Sequence, residues 1–182
     1  RTNKIGASLN KEFKNVRFFI LNKMGVGNAF KLGVNNAKYN KIISLDMDLS
    51  ANLAFINKSI RLLEDYSLVI GSKTMGNQKR SFLRKMPSAI FIFLTKLLLG
   101  LKYQDYSIGA KAYNRKVLLK YLTKIDHGTS YVIDIIYFAK KDKKKIIEIP
   151  ISCFDNRKSK FNLIHESLYR LKNLIRLAIL KK

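Results

Sequence analysis

Two aspartates, Asp46 and Asp48, are the side chains of this chain best suited by type and spacing to do chemistry. They are separated by Met47 and come directly after residues 41–45, which predict a strand. Two carboxylates at the end of a strand can share a hard cation such as Mg²⁺ or Mn²⁺ while that cation holds a diphosphate. The alternative is a polar strand end with two solvated acids. Because the chain has 12 acidic and 36 basic residues, two acids one residue apart at the ligand-binding end of a sheet are less likely to be incidental, which favours the metal site.

Basic side chains supply candidate phosphate contacts in two further stretches. Arg84 and Ser88 lie four residues apart near the start of a long apolar helix, so they share a helix face and could grip one phosphate. Cations at a helix start oppose the helix dipole, so a bound anion there would be favourable. Arg157 and Lys160 lie in a second basic stretch that follows a predicted strand. Either stretch could equally be solvated surface.

A pair of glycines, Gly25 and Gly27, precedes a predicted helix. Small residues at this place would let backbone amides approach a phosphate. The stretch lacks both the full dinucleotide fingerprint and the lysine-containing nucleotide motif. A tight turn is therefore at least as good an interpretation.

Alternating strands and helices must position these side chains. Apolar runs predict strands at residues 16–21, 41–45, 67–70, 109–113 and 145–152, and helical spacing predicts helices at 29–37, 53–65, 81–100, 116–122, 132–140 and 163–180. We expect the helix at 81–100 to be mostly buried. The alternation predicts a single α/β domain over residues 1–182 with a largely parallel sheet. In such sheets ligands bind beyond the carboxyl ends of the strands, where Asp46 and Asp48 lie.

Composition limits the partners of the chain. Hydrophobic residues make up 47% of the sequence and charged residues 26%, which excludes a disordered tail and a membrane bundle. The formal net charge of +24 implies an anionic partner, whether nucleic acid, phosphorylated substrate or acidic lipid headgroups. Its one cysteine, Cys153, excludes an intrachain disulfide and indicates a reduced, intracellular chain. The longest apolar run, residues 89–101, is shorter than the roughly 20 residues of a membrane span.

The last predicted helix, residues 163–180, has an apolar stripe that includes Leu168, Leu171 and Ile175. Arg170, Lys172 and Arg176 surround this stripe. The pattern is typical of a helix that lies on an anionic membrane surface with its basic residues toward the headgroups. It is also typical of a basic helix that packs its stripe on its own core.

Seven short stretches, taken in order, resemble the dolichol-phosphate mannosyltransferase-like branch of the family 2 glycosyltransferases. They are residues 22–29, 46–48, 69–73, 84–88, 105–115, 147–151 and 157–160. Each is weakly specific alone, and together they span nearly the whole chain. The resemblance implies a GT-A type nucleotide-diphospho-sugar transferase sandwich. It also implies metal-dependent, inverting transfer of a sugar from GDP-mannose or a UDP-sugar to polyprenyl or dolichyl phosphate.

The same resemblance implies roles for individual residues. Asp46 and Asp48 would hold Mg²⁺ or Mn²⁺ on the donor diphosphate, and Asp105 would line the sugar and acceptor side as a catalytic residue. Phosphates of the donor or acceptor would be contacted by Lys73, Arg84, Ser88, Arg157 and Lys160, while Gly25 and Gly27 would form a turn near the donor. The protein would act at the cytoplasmic face of a membrane, with residues 163–180 as an interfacial amphipathic helix.

The chain departs from the family pattern at several places. The family's usual Lys between the glycines is Val26, its Gly-Ser-Arg ends in Lys73, its Glu in the helix after the Gly-x-Lys segment is Asp134, and its last basic loop is shortened. Family members also carry two nucleobase-binding strands ahead of a stretch that resembles residues 1–5. We therefore expect a fold that is partial at its N-terminus, in which the strands at 16–21 and 41–45 keep unpaired inner edges.

Two other functions fit parts of the sequence. A basic nucleic-acid-binding module would explain the charge, but the basic residues are spread along the chain and no nucleic-acid motif is present, so we expect no nucleic-acid partner. A sugar transferase with a soluble or polysaccharide acceptor is the other alternative, because the fold does not determine the acceptor.

Overall fold

The computed structural model describes residues 2–48, 50–79, 82–154 and 163–180. The helices and strands of these residues are, in chain order, α1 (Thr2–Glu12), α2 (Val26–Asn36), β1 (Lys41–Ser44), α3 (Ala54–Leu62), β2 (Leu68–Ser72), β3 (Gln78–Lys79), α4 (Phe82–Leu99), β4 (Lys111–Asn114), α5 (Arg115–Leu119), α6 (Tyr131–Lys141), β5 (Ile146–Pro150), β6 (Cys153–Phe154) and α7 (Leu163–Ile179). Most predicted elements therefore form within a few residues of their expected bounds.

The main sheet has four strands in the order β1-β4-β2-β5, and β3 and β6 form a separate parallel pair. β2 and β5 are parallel, whereas β4 runs antiparallel to both β1 and β2. The prediction of an α/β fold is confirmed, and the main sheet is mixed: β1, β2 and β5 run in one direction, as predicted, and β4 runs against them. The reason is the entry point of β4: its first residue, Lys111, pairs with Ser44 and Ile70 near the carboxyl ends of β1 and β2, so the strand runs back between them.

The sheet separates two apolar clusters, because alternate strand residues point to opposite faces. Leu68 and Ile70 of β2 belong to one cluster with residues of α6 and α7, whereas Val69 packs in the other with Phe55 of α3. Both faces of the central strand are thus buried. Burial of one such side chain stabilises the fold by about 1.5–3 kcal/mol.

The predicted strand at 16–21 does not form. The segment follows α1 with no helix or strand assigned, and Phe19 and Ile20 are 42% and 63% exposed. Its aromatic and β-branched residues favour a strand, but a strand needs an edge to pair with. No strand of the described residues lies beside it, and β1 is an edge strand of the described sheet.

Helices α4 and α7 pack against each other and each also exposes an apolar face. In α4, Thr95 and Leu99 are buried, while a stripe of exposed side chains runs along the helix through Met86, Ile90, Phe93 and Leu97. The prediction of a mostly buried α4 is therefore wrong for this stripe. Among the described residues, no helix is long and apolar enough to cross a membrane.

Candidate active site

Asp46 and Asp48 lie immediately beyond the carboxyl end of β1. The backbone N–H of Gly109 donates a hydrogen bond of 2.9 Å to Oδ2 of Asp46. Asp48 accepts a 2.8 Å hydrogen bond from the N–H of Ser50 through its Oδ1, which closes a short turn. Hydrogen bonds therefore hold both carboxylates beyond the carboxyl end of the strand, the position predicted from the sequence.

The chemistry of these two side chains fits a divalent cation. Carboxylate oxygens are hard ligands of the kind that Mg²⁺ and Mn²⁺ prefer. Within the described ranges, no group of three or more His, Cys, Asp or Glu side chains could hold a metal ion. Asp46 and Asp48 would thus supply two carboxylate ligands, and the remaining ligands of a cation that binds a nucleotide diphosphate are usually phosphate oxygens and water.

Asp105 is buried, and its carboxylate is fully engaged. It accepts hydrogen bonds from the backbone N–H groups of Lys73, Ser107 and Ile108 and from Nζ of Lys73, at 2.9–3.1 Å. Burial alone would raise the pKa of Asp105, but the ammonium groups of Lys111 and Lys73 together with these hydrogen bonds hold it well below its usual range. The carboxylate is therefore charged and suited neither to accept a proton nor to contact a substrate.

Lys73, predicted to contact a phosphate, is also buried. Its Nζ lies 2.9 and 3.0 Å from the two oxygens of Asp105 and donates a 2.6 Å hydrogen bond to Oγ of Ser107. An ammonium group has three N–H donors. The two oxygens of Asp105 and the hydroxyl of Ser107 can accept all three hydrogen bonds from Lys73.

Lys111 closes the same cluster from β4. Its fully buried Nζ donates to the carbonyl oxygens of Ile108 (2.8 Å) and Gly71 (3.2 Å). Burial lowers the pKa of Lys111 to about 8, although the Asp105 carboxylate acts in the opposite direction. Lys111 is the lysine of the Gly-x-Lys segment, and its sequence context alone predicted no role for it.

Tyr131 at the start of α6 lies near enough to Asp46 for an electrostatic interaction, and it packs with other aromatic side chains. Phe30 of α2 packs against Tyr131 and Tyr113, with ring centroids 4.7 and 5.4 Å apart. Burial raises the pKa of Tyr131 to about 12, and the Asp46 carboxylate adds to the effect. Sequence reasoning missed Tyr131, and its place at the first turn of α6 was the available signal.

Gly25 and Gly27 form a packed turn. The N–H groups of Gly27 and Asn28 each donate a 3.1 Å hydrogen bond, to the carbonyl oxygens of Gly128 and His127. Gly25 has a φ of +136°, and a Cβ at Gly27 would overlap the backbone at Asp126. These amides are occupied by protein, so the geometry favours the tight-turn alternative over a phosphate cradle.

Among the other predicted phosphate contacts, Ser88 lies half-buried on α4. Arg84 belongs to the first turns of the same helix, and its side chain lies outside the described part of the structure. Arg157 and Lys160 also lie outside the described residues. Their roles stay predictions.

A polar stripe on α7 faces residues 126–134. Tyr169 donates through its hydroxyl to both oxygens of Asp126 (2.6 and 2.8 Å), and Asn173 and Arg176 donate to the buried Asp134 at 2.9 and 2.8 Å. Arg170 contacts Glu166 through Nε at 2.7 Å. Arg170 and Arg176 thus each pair with a carboxylate of the protein, and their contact with headgroups stays a prediction.

The apolar residues of α7 divide between two faces. Leu174 and Leu177 are completely buried, whereas Leu168, Ile175 and Ile179 are 61%, 49% and 68% exposed. The leucines of α7 that pack in the core are thus not those of the predicted stripe. Much of that stripe remains at the surface.

The arrangement is a GT-A-like fold, in which an α/β sandwich places an Asp-x-Asp pair at the carboxyl end of a strand. Residues 1–122 match the family model of glycosyl transferase family 2. Because this match covers more than half of the chain, the chain belongs to glycosyl transferase family 2.

Solved structures of glucosyl-3-phosphoglycerate synthase from Mycobacterium tuberculosis are similar to this chain. The complex with uridine diphosphate has a TM-score of 0.61 and 16% sequence identity, and the match covers 87% of this chain and 57% of that chain. The complex with Mn²⁺, UDP-glucose and phosphoglyceric acid has a TM-score of 0.59 and 15% identity, with 87% and 56% covered. The chain therefore spans somewhat over half the length of these proteins, and the likeness establishes a common fold.

Proposed function

We propose that the protein is a divalent-metal-dependent glycosyltransferase that moves a sugar from a nucleotide-sugar donor to a polyprenyl phosphate. The observation that carries the proposal is the Asp46 and Asp48 pair at the carboxyl end of β1, with Asp46 oriented by the Gly109 amide. Membership of the family supports the reaction class. The donor complex of the similar synthase, which contains Mn²⁺ and UDP-glucose, supports the metal and the donor class.

In this proposal, Asp46 and Asp48 would hold Mg²⁺ or Mn²⁺. When bound, the cation neutralises charge on the diphosphate leaving group. The Gly109 amide keeps one oxygen of Asp46 engaged, so the carboxylate is oriented before the donor arrives. Arg84 and Ser88 of α4 would contact phosphate oxygens of donor or acceptor.

The state of Asp105 supports a phosphate acceptor. A sugar hydroxyl needs a base to remove its proton as it attacks, and Asp105 is charged, buried and saturated with hydrogen bonds. A phosphate monoester is already an anion. It can attack the anomeric carbon without such a base, and in-line attack inverts the configuration.

The exposed apolar stripes of α4 and α7 support a lipid-linked acceptor. α4 contains no acidic residue, and the acidic residue of α7, Glu166, is paired with Arg170. An apolar stripe with basic and no free acidic neighbours is typical of a helix that lies at an anionic bilayer surface. These stripes support our proposal that the protein works at a membrane surface, which we take to be the cytoplasmic face, with polyprenyl phosphate reached from the headgroup region.

A soluble phosphorylated acceptor is the second candidate, because one of the similar structures contains phosphoglyceric acid. One assay separates the two. Purified protein with Mn²⁺ is offered UDP- or GDP-sugars labelled in the sugar, with either polyprenyl phosphate in vesicles or 3-phosphoglycerate in solution. We expect label in the lipid fraction and its loss with a chelator. Label in phosphoglycerate alone would contradict the lipid acceptor, and label in neither would contradict the transferase.

A further inference from the structure

We infer that Lys73 and Asp105 form a buried positioning pair that orients the Asp46 carboxylate, and that Lys73 is not a phosphate contact. The side chains of Lys73 and Asp105 are 6% and 1% exposed, and their charged atoms lie 2.9 Å apart. The pair is thus shielded from water and from any ligand at the surface. The inference rests on the proposed function in treating Asp46 as a metal ligand.

The pair shapes the loop at residues 105–109. Oδ1 of Asp105 accepts from the backbone N–H groups of Ser107 and Ile108 at 2.9 and 3.1 Å, which closes the turn. Lys73 donates to Asp105 through its own backbone N–H as well as through Nζ. Because Lys73 directly follows β2, these bonds tie the turn to the end of a central, fully buried strand.

The other end of the loop is tied to the same strand. The fully buried Lys111 donates to carbonyl oxygens of Ile108 in the loop and Gly71 in β2. A buried cation therefore anchors each end of the loop at the end of β2. Lys73, which follows the strand, holds Asp105, and Lys111 bonds to Gly71 within the strand. A loop restrained in this way presents its remaining backbone groups in one orientation.

Gly109 is the group that the loop presents to the metal pair. Its N–H donates to Asp46, and its carbonyl oxygen accepts a 2.6 Å hydrogen bond from Oγ of Ser44. A Cβ at position 109 would overlap the Asp46 carboxylate, so loop and carboxylate are in close contact. Disturbing Lys73 or Asp105 would thus be felt at Asp46.

The first test needs neither metal nor substrate. Amide hydrogen exchange at Gly109 is measured in the metal-free protein for wild type, Lys73→Met and Asp105→Asn. We expect exchange at Gly109 to become about tenfold faster in each variant, as for the loss of one hydrogen bond to a charged group. Lys102→Met, an exposed lysine ahead of the same loop, is the control and should leave Gly109 unchanged. Unchanged exchange in both pair variants overturns the inference.

The second test is a double-mutant cycle on calorimetric binding of UDP or GDP in the presence of Mn²⁺. Each single variant should weaken nucleotide binding about tenfold or more. The double variant Lys73→Met/Asp105→Asn should bind no less tightly than the single variant with the lower affinity, because the two residues act as one unit. Additive losses would make Lys73 an independent phosphate contact and overturn the inference.

A milder variant covers the case in which a pair variant does not fold. Ser107→Ala removes the hydroxyl beside Lys73 Nζ, at a residue whose loss leaves the ion pair in place. We expect a smaller loss of Mn²⁺-dependent binding with the melting temperature retained, and no loss would count against the inference. If wild type binds neither nucleotide while Gly109 exchange still responds to Lys73→Met, the proposed function fails and the positioning of Asp46 stands.

Discussion

The folded protein disfavours the charged form of Lys111. Its ammonium group is completely buried, and the charged groups around it are Asp105, Lys73, Glu148 and Asp46. Burial lowers its pKa from 10.5 to about 8 in spite of the three carboxylates. The fold therefore retains this lysine for its hydrogen bonds to the loop, at a cost in stability while the lysine is charged.

This cost predicts a pH dependence of stability. Between pH 8 and 10.5 the unfolded chain holds a proton on Lys111 that the folded protein releases, so raising the pH favours the folded state. We expect the unfolding free energy of wild type, relative to Lys111→Met, to rise by on the order of 1–3 kcal/mol from pH 7 to pH 10. Urea denaturation of both proteins at the two pH values measures this. A difference between them that does not change with pH would show that Lys111 titrates normally.

Asp105 shows at the residue scale what the sequence could and could not predict. The resemblance predicts Asp105 on the sugar and acceptor side of the site, and the structure has it in the turn that leads to the Gly109 contact with Asp46. Its burial was not predictable, because it depends on Lys73 and Lys111, which come from two other strand ends. Sequence spacing does not show which cation a carboxylate meets in three dimensions. For the same reason the sequence did not show that the amides of Gly27 and Asn28 are occupied by carbonyl oxygens of residues 127 and 128.

Helix α7 has an unusual distribution of side chains between its faces. The side toward residues 126–134 carries Tyr169, Asn173 and Arg176, each hydrogen-bonded to a carboxylate. The exposed stripe contains Leu168, Ile175 and Ile179. Polar contacts and the buried Leu174 and Leu177 thus hold the helix on the protein, while a second set of apolar side chains remains exposed. Such a distribution favours an apolar environment at the outer face.

The adjacent residues Leu174 and Ile175 test this division. Leu174→Ala should lower the unfolding free energy by about 2–5 kcal/mol, because its side chain is completely buried. Ile175→Gln should change it little, since half of that side chain is exposed. Urea denaturation distinguishes the two.

Vesicle flotation tests whether the exposed apolar stripes of α7 and α4 bind a membrane surface. Phe93→Gln and Ile175→Gln should each weaken binding to anionic vesicles severalfold, and high salt should weaken it for wild type. Lys116→Gln on α5 provides a basic residue elsewhere as control. Equal binding of wild type to neutral and anionic vesicles, or no effect of either stripe variant, would contradict the membrane face.

Across the whole molecule, local patterns predicted most of the longer elements but not α1, β3 or β6, and they did not predict how the strands pair. The helices at α2, α3, α6 and α7 and the strands β1 and β2 follow from hydrophobic periodicity, which is a local property. The direction of β4 depends on where the loop at 105–109 returns to the sheet. Residues 16–21 have strand composition, but the described sheet offers them no neighbouring edge. Both differences are tertiary, so no window of sequence contains them.

Binding of Mn²⁺ at the end of β1 can be measured without a sugar acceptor. Electron paramagnetic resonance follows free Mn²⁺ as the protein is added with UDP or GDP. We expect the free signal to fall when protein and nucleotide are both present, and Asp48→Asn to restore most of it, because a carboxylate ligand is lost. Asp65→Asn, an exposed acid after α3, should behave as wild type. A signal that falls equally with wild type and Asp48→Asn would contradict a metal site at this strand end.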